Sequence, residues 1–125
     1  MKITIPGRPI TKKNSMRMVR NGNRILPIPS KQFSEYQEKA GYFIPYKWYA
    51  ISNPVNVKCV YYMPTHGRVD LLNLLGATCD VLVHYGVLAD DHSRIVVSHD
   101  GSRVLYDKDN PRVEIEIQEV DCGGI

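Results

Sequence analysis

Hydrophobic and polar residues alternate in several stretches of the chain, and a period of two residues is typical of β-strands with one buried face. The clearest stretch runs from Pro54 to Met63, where Val55 begins a series of apolar or aromatic side chains at every second position. We expect four further strands, at residues 2–6, 93–98, 103–106 and 112–118. Between 93–98 and 103–106, the pair Asp100-Gly101 predicts a hairpin turn or a bulge.

Two other stretches have the longer period of amphipathic helices, with apolar residues recurring three or four positions apart. The first covers residues 31–43, follows Ser30 as a predicted N-cap, and places four side chains on one face: Phe33, Tyr36, Ala40 and Phe43. The second begins after Asp70 and ends at Gly86, which predicts a helix stop. Its apolar face consists of Leu71, Leu74, Leu75, Thr78, Leu82 and Tyr85.

Two helices and about five strands, with the strands grouped toward both ends of the chain, predict an α+β fold. We expect a small mixed, mostly antiparallel sheet with both helices on one face. The length favours a single domain over residues 1–120, followed by a disordered tail at residues 121–125.

The composition is that of an ordinary globular protein, with 43% hydrophobic and 23% charged residues. No apolar run approaches the roughly 18 residues of a membrane span. The N-terminus has the pattern of a strand and not of a signal peptide, so we expect a cytoplasmic protein without membrane contact. The three cysteines have no CxxC spacing and the four histidines no paired metal spacing, so we expect neither a zinc site nor a disulfide framework.

The net charge of +3 is mild, but the cations are unevenly distributed. Residues 12–24 contain no acid and five cations: Lys12, Lys13, Arg17, Arg20 and Arg24. Within this stretch, Asn21-Gly22 predicts the turn of a small hairpin. A basic hairpin suits contacts with a phosphate backbone, although a solvated surface loop has the same composition. The aromatic cluster at residues 46–49 favours packing beneath the sheet, and the alternative is a platform on which bases stack.

Carboxylates accumulate around the second helix. Steps of three and four residues place a polar stripe along one side of it: Asp70, Asn73, Ala77, Asp80 and His84. The short segment after Gly86 ends in Asp90-Asp91 and can return toward Asp70. Converging carboxylates repel one another unless a cation lies between them, and hard oxygen ligands from few residues suit Mg²⁺. Such a metal beside a basic surface fits phosphodiester cleavage. The alternatives are that Asp70 only caps the helix and that Asp90-Asp91 is only a polar turn.

The order of these residues resembles the RusA family of Holliday junction endonucleases, which are found largely in phages and prophages. The resemblance rests on Asp70-Leu-x-Asn73-Leu-Leu, then Asp80-x-Leu, then Gly86-Val-Leu-x-Asp90-Asp91, and it spans most of the chain. It implies a Mg²⁺-dependent homodimer, with Mn²⁺ as a substitute cation, that cuts four-way DNA junctions symmetrically. It also implies that Asp70 and Asp91 are catalytic carboxylates that bind the metal.

Further site residues combine this resemblance with the pattern of charges. Asp90 is an additional candidate metal ligand, and Asn73 and Asp80 are candidate supporting residues. The candidate DNA contacts are Lys12, Lys13, Asn14, Arg17, Arg20, Arg24 and Arg68. Asn14 matches an asparagine of the family, and Arg68 lies where family members have a basic run. The alternative for Arg68 is an ion pair with an aspartate of the site.

Two positions depart from the family pattern. Leu72 replaces the middle acid of Asp-Leu-Asp-Asn, and Gly76 lies where the best-known members have a catalytic lysine. Asp80, Asp90 and His92 are candidates to compensate for these losses. The alternative function is therefore a branched-DNA-binding protein with weak or lost cleavage.

Overall fold

The computed structural model describes residues 1–12, 16–29, 31–45 and 49–121. In chain order the elements are β1 (Lys2–Pro6), β2 (Met16–Asn21), β3 (Arg24–Pro29), α1 (Lys31–Ala40), β4 (Val55–Met63), α2 (Leu71–His84), β5 (Val96–Ser98), β6 (Arg103–Tyr106) and β7 (Arg112–Glu119). A short 3₁₀ turn, Gly41–Phe43, follows α1. The predicted tail beyond Asp121 and the predicted N-cap Ser30 lie outside the described residues.

Five strands form one mixed sheet, as the α+β prediction requires. Strand β7 pairs antiparallel with both β1 and β4, so the three longest strands of the sheet are antiparallel neighbours. The other edge of β4 pairs in parallel with β5 at Val55 and Asn56, and with β6 from Val60 to Met63. These parallel pairs follow from the crossover through α2, since a parallel neighbour cannot be reached by a tight turn. Strands β2 and β3 form a separate two-stranded antiparallel sheet.

The core lies between the sheet and the two helices, which cover the same face. Every second residue of β4 is buried, and the fully buried set includes Val57, Cys59 and Tyr61. Leu74 and Leu82 from α2 join the same apolar cluster. The helix α1 contributes Phe33 and Ala40. Burying a large apolar side chain stabilises a fold by about 1.5–3 kcal/mol, so this shared face fixes where both helices lie.

Two contacts hold the helices against the sheet and against each other. The Tyr61 hydroxyl lies 2.6 Å from Thr78 Oγ1, which satisfies both buried groups between β4 and α2. The hydroxyl of Tyr85, just after α2, donates to the carbonyl of Gln37 in α1 at 2.6 Å. Gly41 allows this approach, because a Cβ there would lie 2.7 Å from the Tyr85 ring.

Several details differ from the sequence predictions. Asp100-Gly101 is a turn, with Gly101 at φ +87, but it does not close a hairpin, because β5 and β6 both pair with β4 and not with each other. Strand β5 begins at Val96 and not at residue 93, since the amide of Ile95 donates to the carbonyl of His92 in a turn. The local Asp-Gly pair predicts a turn, but it cannot specify with which strand each of the two flanking strands pairs.

The N-terminal hairpin is confirmed, and it is longer than predicted. Strand β3 continues to Pro29, so the prolines at 27 and 29 belong to it. Proline is tolerated there because both strands of a two-stranded sheet are edge strands. Phe43 is 48% exposed, because the 3₁₀ turn takes it off the buried face of α1. The predicted packing of the aromatic cluster is wrong for Tyr49, which is 77% exposed, and residues 46–48 lie outside the described residues.

No helix within the described ranges combines the length and the apolar composition that a membrane crossing needs.

Candidate functional site

Helix α2 begins at Asp70, whose backbone is extended at φ −90 and ψ 116. One carboxylate oxygen, Oδ1, accepts a hydrogen bond of 2.9 Å from the amide of Leu72. Such an N-cap satisfies a backbone N–H that the helix itself leaves free. Oδ2 receives no hydrogen bond from the described residues. Asp70 therefore caps the helix and still presents an oxygen to solvent, so capping and ligand binding are compatible at this residue.

The other end of α2 returns the chain to the flank of the helix. Gly86 adopts φ +74, a conformation that favours glycine, and its amide donates to the carbonyl of Val83. Backbone hydrogen bonds hold the next residues in place. The amide of Val87 donates to the carbonyl of Leu82, and the amide of Ala89 donates to the carbonyl of Ile51, both at 2.9 Å. Because this return segment is fixed by the core, the acidic pair that follows it has a defined place.

Asp90 and Asp91 line a cleft of about 370 Å³ between α1, α2 and the N-terminal segment. We call it the acidic cleft; its lining residues are Lys12, Phe33, Ser34, Gln37, Asp80, Val83, His84, Asp90 and Asp91. Three carboxylates face one ammonium group there. Asp70 is not among the lining residues: it lies ten residues before Asp80, which is about 15 Å of helix rise. The structure thus brings the acidic pair to the Asp80 turn of α2.

The carboxylates of the acidic cleft differ in their partners. Asp80 pairs with Lys12, whose Nζ lies 3.5 Å from its Oδ2, and both side chains are about 40% exposed. Asp90 Oδ1 accepts from the Asp91 amide at 2.7 Å. No hydrogen bond or ion pair from the described residues reaches the carboxylate of Asp91. Asp91 is therefore the acid most available to a ligand.

The thiol of Cys79 lies behind this surface. Burial raises its pKa to about 12, and the negative charges of Asp91 and Asp80 act in the same direction. At neutral pH the thiol stays protonated, and it is not a candidate nucleophile.

Free oxygens on aspartates are suitable ligands for a hard divalent cation. In the described part of the chain, no group of three His, Cys, Asp or Glu side chains is placed to hold a metal ion. Mg²⁺ does not need such a cage, because it keeps several waters and takes only one or two carboxylates. Free oxygens remain on Asp70, Asp90 and Asp91, all of them exposed. The acidic pair in the cleft and Asp70 at the start of α2 each fit a solvated Mg²⁺, and both places lack the ligands that zinc prefers.

The two positions that depart from the family pattern face solvent. Leu72 is 76% exposed, although its side chain is apolar. At Gly76, a Cβ would meet no atom within 4 Å. Neither residue fills a place in the core, so packing does not explain either departure. Both leave the exposed side of α2 without a charged group between Asp70 and Asp80.

Arg68, just before α2, lies in a different cavity. This second cavity measures about 200 Å³ and is lined by Arg8, Pro9, Ile10, Thr11, Gln32, Met63, Thr65, Gly67, Arg68 and Val69. We call it the basic cavity, because its described lining residues include two arginines and no acid. No ion pair reaches Arg68 from the described residues, so the predicted alternative of a pair with an aspartate is not seen among them.

The remaining predicted residues lie at several places. Arg20 and Arg24 flank the β2–β3 turn with exposed side chains, and Arg20 Nε donates to the Gly22 carbonyl at 3.2 Å. Lys13, Asn14 and the side chain of Arg17 lie outside the described residues. Asn73 is half-buried on α2, and His92 Nδ1 accepts from the Arg94 amide. The candidate compensating residue His92 is not part of the acidic cleft.

Two residues of these cavities were missed by sequence reasoning. Arg8 and Gln32 come from distant parts of the chain and carry no local motif, so only the fold brings them to Arg68. The sequence offered one signal for Arg8: it is the cation of Pro6-Gly7-Arg8-Pro9, which predicts a rigid turn at the end of β1.

A comparison with family models gives a match that covers most of the chain. The model of the family described as endodeoxyribonuclease RusA matches residues 6–118. No curated protein is significantly similar to the chain. The matched range begins at the last residue of β1 and includes both helices, strands β2 to β6, most of β7, the acidic cleft and the basic cavity. The chain therefore belongs to the RusA endodeoxyribonuclease family.

Proposed function

We propose that this protein is a Mg²⁺-dependent endonuclease that resolves four-way DNA junctions in recombination and repair. The observation that carries the proposal is the acidic cleft, where Asp91 has a free carboxylate beside the helix that Asp70 caps. Membership in an endodeoxyribonuclease family supports DNA as the substrate. Without a bound cation, exposed carboxylates repel the DNA that the protein must approach, because both carry negative charge.

Asp91, helped by Asp90, would hold a metal ion in the acidic cleft, and Asp70 would hold one at the start of α2. When bound, Mg²⁺ supplies Lewis-acid polarisation of the phosphoryl oxygens and a water of lowered pKa. The protein's own residues orient these ligands. The Leu72 amide fixes Oδ1 of Asp70, and the Asp91 amide fixes Oδ1 of Asp90. Mn²⁺ prefers similar oxygen ligands and is expected to replace Mg²⁺.

Exposed cations would position the DNA backbone. Arg68 lies two residues before Asp70 and has no ion-pair partner among the described residues. Guanidinium groups bind phosphate oxygens with two parallel hydrogen bonds, which fixes orientation as well as charge. The exposed Arg20 and Arg24 at the hairpin turn extend this contact surface. Phosphate contacts of this kind set the register of the strand without reading its sequence.

A homodimer is part of the proposal. Resolution of a four-way junction requires two cuts in opposite strands, so two identical sites related by a twofold axis match the symmetry of the substrate. Most soluble homo-oligomers are twofold dimers in which the same patch of both subunits meets. We propose that the dimer acts in the cytoplasm.

A second candidate function is binding of branched DNA without efficient cleavage. The observation that favours it is the exposed side of α2, where Leu72 and Gly76 provide no charged group. A metal site with fewer carboxylates binds its cation more weakly and stabilises less charge in the transition state. A protein with this function would still bind DNA through its basic surfaces and would not cleave it efficiently.

The test compares four DNA substrates of matched sequence: a four-way junction, a fork, a flap and a linear duplex. Each is labelled on one strand at a time and incubated with Mg²⁺, with Mn²⁺ or with EDTA. The proposal predicts paired nicks at symmetric positions in the four-way junction, and only with a metal ion. Binding of the junction without any metal-dependent product would favour the second candidate. Preferred cutting of the flap or the fork would overturn four-way junctions as the substrate.

A further inference from the structure

The basic cavity combines the groups that bind a phosphate. Its polar lining includes Arg8, Thr11, Gln32, Thr65, Gly67 and Arg68, and none of its described lining residues is acidic. Arginine, threonine and glutamine side chains carry the hydrogen-bond donors that bind a phosphate. The volume of about 200 Å³ is several times the share of one liquid water, roughly 30 Å³. A phosphate group with part of its sugar therefore fits.

Both arginines are available for a ligand. Neither Arg8 nor Arg68 has a hydrogen bond or ion pair from its side chain within the described part of the chain. Arg112 shows the contrast, because its guanidinium binds Asp107 at 2.9 Å and Glu114 at 2.8 Å and also covers the Tyr62 ring. Two unpaired cations that share one cavity repel each other, and an anion between them removes that cost.

The backbone of the cavity is rigid where Arg8 enters it. The amide of Gly7 donates to the carbonyl of Pro111 at 2.9 Å, and Pro9 on the other side is buried. Thr11 is only 8% exposed. Because fixed residues precede and follow Arg8, little conformational entropy of the backbone is lost when a ligand binds. A preorganised cation binds more tightly than one on a mobile loop.

The cavity also receives the N-terminal end of α1. Gln32 is in the first turn of this ten-residue helix, and that turn contains no acidic residue. The start of a helix carries partial positive charge and free N–H groups, which favour an anion. This contribution adds to the two arginines and does not depend on them.

The basic cavity adjoins the catalytic acids along the chain in two places. Val69 lines the cavity, and Asp70 follows it directly. Thr11 lines the same cavity, and Lys12 lines the acidic cleft. We infer that the basic cavity binds a phosphodiester group of the DNA strand next to the one that is cut, with Arg8 and Arg68 as its two cations. This inference rests on the proposed function and adds Arg8, Gln32 and their cavity to it.

The first experiment measures junction binding in EDTA, so that no cleavage interferes. Fluorescence anisotropy gives the affinity of the parent protein, of Arg8→Gln and of Arg103→Gln at several salt concentrations. Arg103 is an exposed arginine on β6 without a partner among the described residues, and it is the matched control. We expect Arg8→Gln to make the negative slope of log K against log[salt] less steep by about 0.9, the value for one lost phosphate contact. Arg8→Lys keeps the charge and should keep the slope, and Arg103→Gln should change nothing.

The second experiment separates this inference from the proposed function. Backbone amide shifts of ¹⁵N-labelled protein are followed during titration with the dinucleotide TpT, which contains one phosphodiester, and with inorganic phosphate. We expect TpT to shift Gly7, Gln32 and Gly67 in the parent protein and not in Arg8→Gln. Larger shifts with inorganic phosphate would indicate a site for free phosphate and would overturn the inference. An unchanged salt slope in Arg8→Gln, with junction binding intact in the parent, would overturn it while the proposed function stands. A parent protein that binds no junction would refute the proposed function, and the inferred DNA ligand with it.

Discussion

The acidic cleft and the basic cavity lie against the same helix, α1, and differ in charge. Ser34 and Gln37 of α1 face the carboxylates of the acidic cleft, whereas Gln32 faces the two arginines of the basic cavity. In the acidic cleft Lys12, the one lysine or arginine among its described lining residues, is already paired with Asp80. In the basic cavity neither Arg8 nor Arg68 has an ion-pair partner among the described residues. The fold therefore keeps a free carboxylate on one side and free guanidinium groups on the other.

This difference indicates a division of roles. A cluster of acids repels a DNA strand until a cation enters, so the acidic cleft alone cannot attract its substrate. We expect the basic cavity to attract phosphate without any metal ion. A strand held by the basic cavity is oriented before chemistry occurs, and orientation of this kind supplies much of the acceleration in enzymes. Substitutions that change one of these surfaces at a time test this division of roles, and the largest effect is expected at Asp70.

The change Asp70→Asn removes a carboxylate and keeps the helix cap, since asparagine caps a helix as well as aspartate does. We expect junction cleavage to fall at least about 100-fold, because a bound metal stabilises the transition state by several kcal/mol. Junction binding should be equal or tighter, since one negative charge facing the DNA is lost. Cleavage rates and anisotropy on the same protein preparation measure both effects. The control is Asp109→Asn, an exposed carboxylate in the turn before β7. Cleavage by Asp70→Asn at the parent rate would remove Asp70 from the site.

The change Leu72→Asp adds an acid next to Asp70. The side chain is 76% exposed, so no core contact is lost, and a negative charge in the first turn of a helix is favourable. We expect cleavage to rise about tenfold, equivalent to about 1.4 kcal/mol of transition-state stabilisation. Leu72→Asn is the matched control, because it is polar without charge. If both variants cleave at the same rate, the missing carboxylate does not limit the reaction.

The change Gly76→Ala tests stability apart from charge. A Cβ at this position meets no atom within 4 Å, and alanine is about 1 kcal/mol more favourable than glycine inside a helix. We expect the melting temperature to rise by about 4 °C and cleavage to stay unchanged. Calorimetry gives the first quantity and the junction assay the second. The variant Gly76→Lys should be stabilised to a similar degree. A cleavage rate that changes in Gly76→Lys and not in Gly76→Ala would assign the effect to the added cation.

The change Lys12→Gln makes the acidic cleft more acidic. The ion pair with Asp80 is half exposed, and such pairs contribute about 0.2–1 kcal/mol. We expect the Mg²⁺ concentration for half-maximal cleavage to fall about twofold, since a competing cation has been removed. A metal titration of the cleavage rate measures this shift. A higher Mg²⁺ requirement in Lys12→Gln would contradict the view that Lys12 competes with the metal.

The sequence predicted the elements whose signals are local. Helix α2 was predicted with its start at Asp70 and its stop at Gly86, because a cap, a period and a glycine all lie within one segment. The long alternation in β4 was equally clear. The turn at Asp100-Gly101 was predicted with the wrong partners, since a dipeptide cannot specify that both flanking strands pair with a third. Strand pairing depends on distant residues, and a local pattern does not contain them.

The residues of the candidate site also divide into those with a local sequence signal and those that only the fold brings together. The acids on and after α2 were found because they lie in one continuous stretch of sequence. The pairing of Lys12 with Asp80, and the joining of Arg8 with Arg68, are contacts between residues far apart in the chain. Charge alone marked Lys12 as a DNA contact and gave no reason to choose Arg8. Only the packing of β1, α1 and the segment before α2 places these cations near the candidate catalytic acids.

The most direct test of the central claim is the rate of junction cleavage by the parent protein and by Asp91→Asn across a Mg²⁺ titration, with junction binding measured in parallel. The account predicts that the parent cuts only when Mg²⁺ is present, and that Asp91→Asn binds the junction and does not cut it at any Mg²⁺ concentration. Cleavage by the parent in EDTA, or cleavage by Asp91→Asn at the parent rate, would contradict a metal-dependent reaction in the acidic cleft.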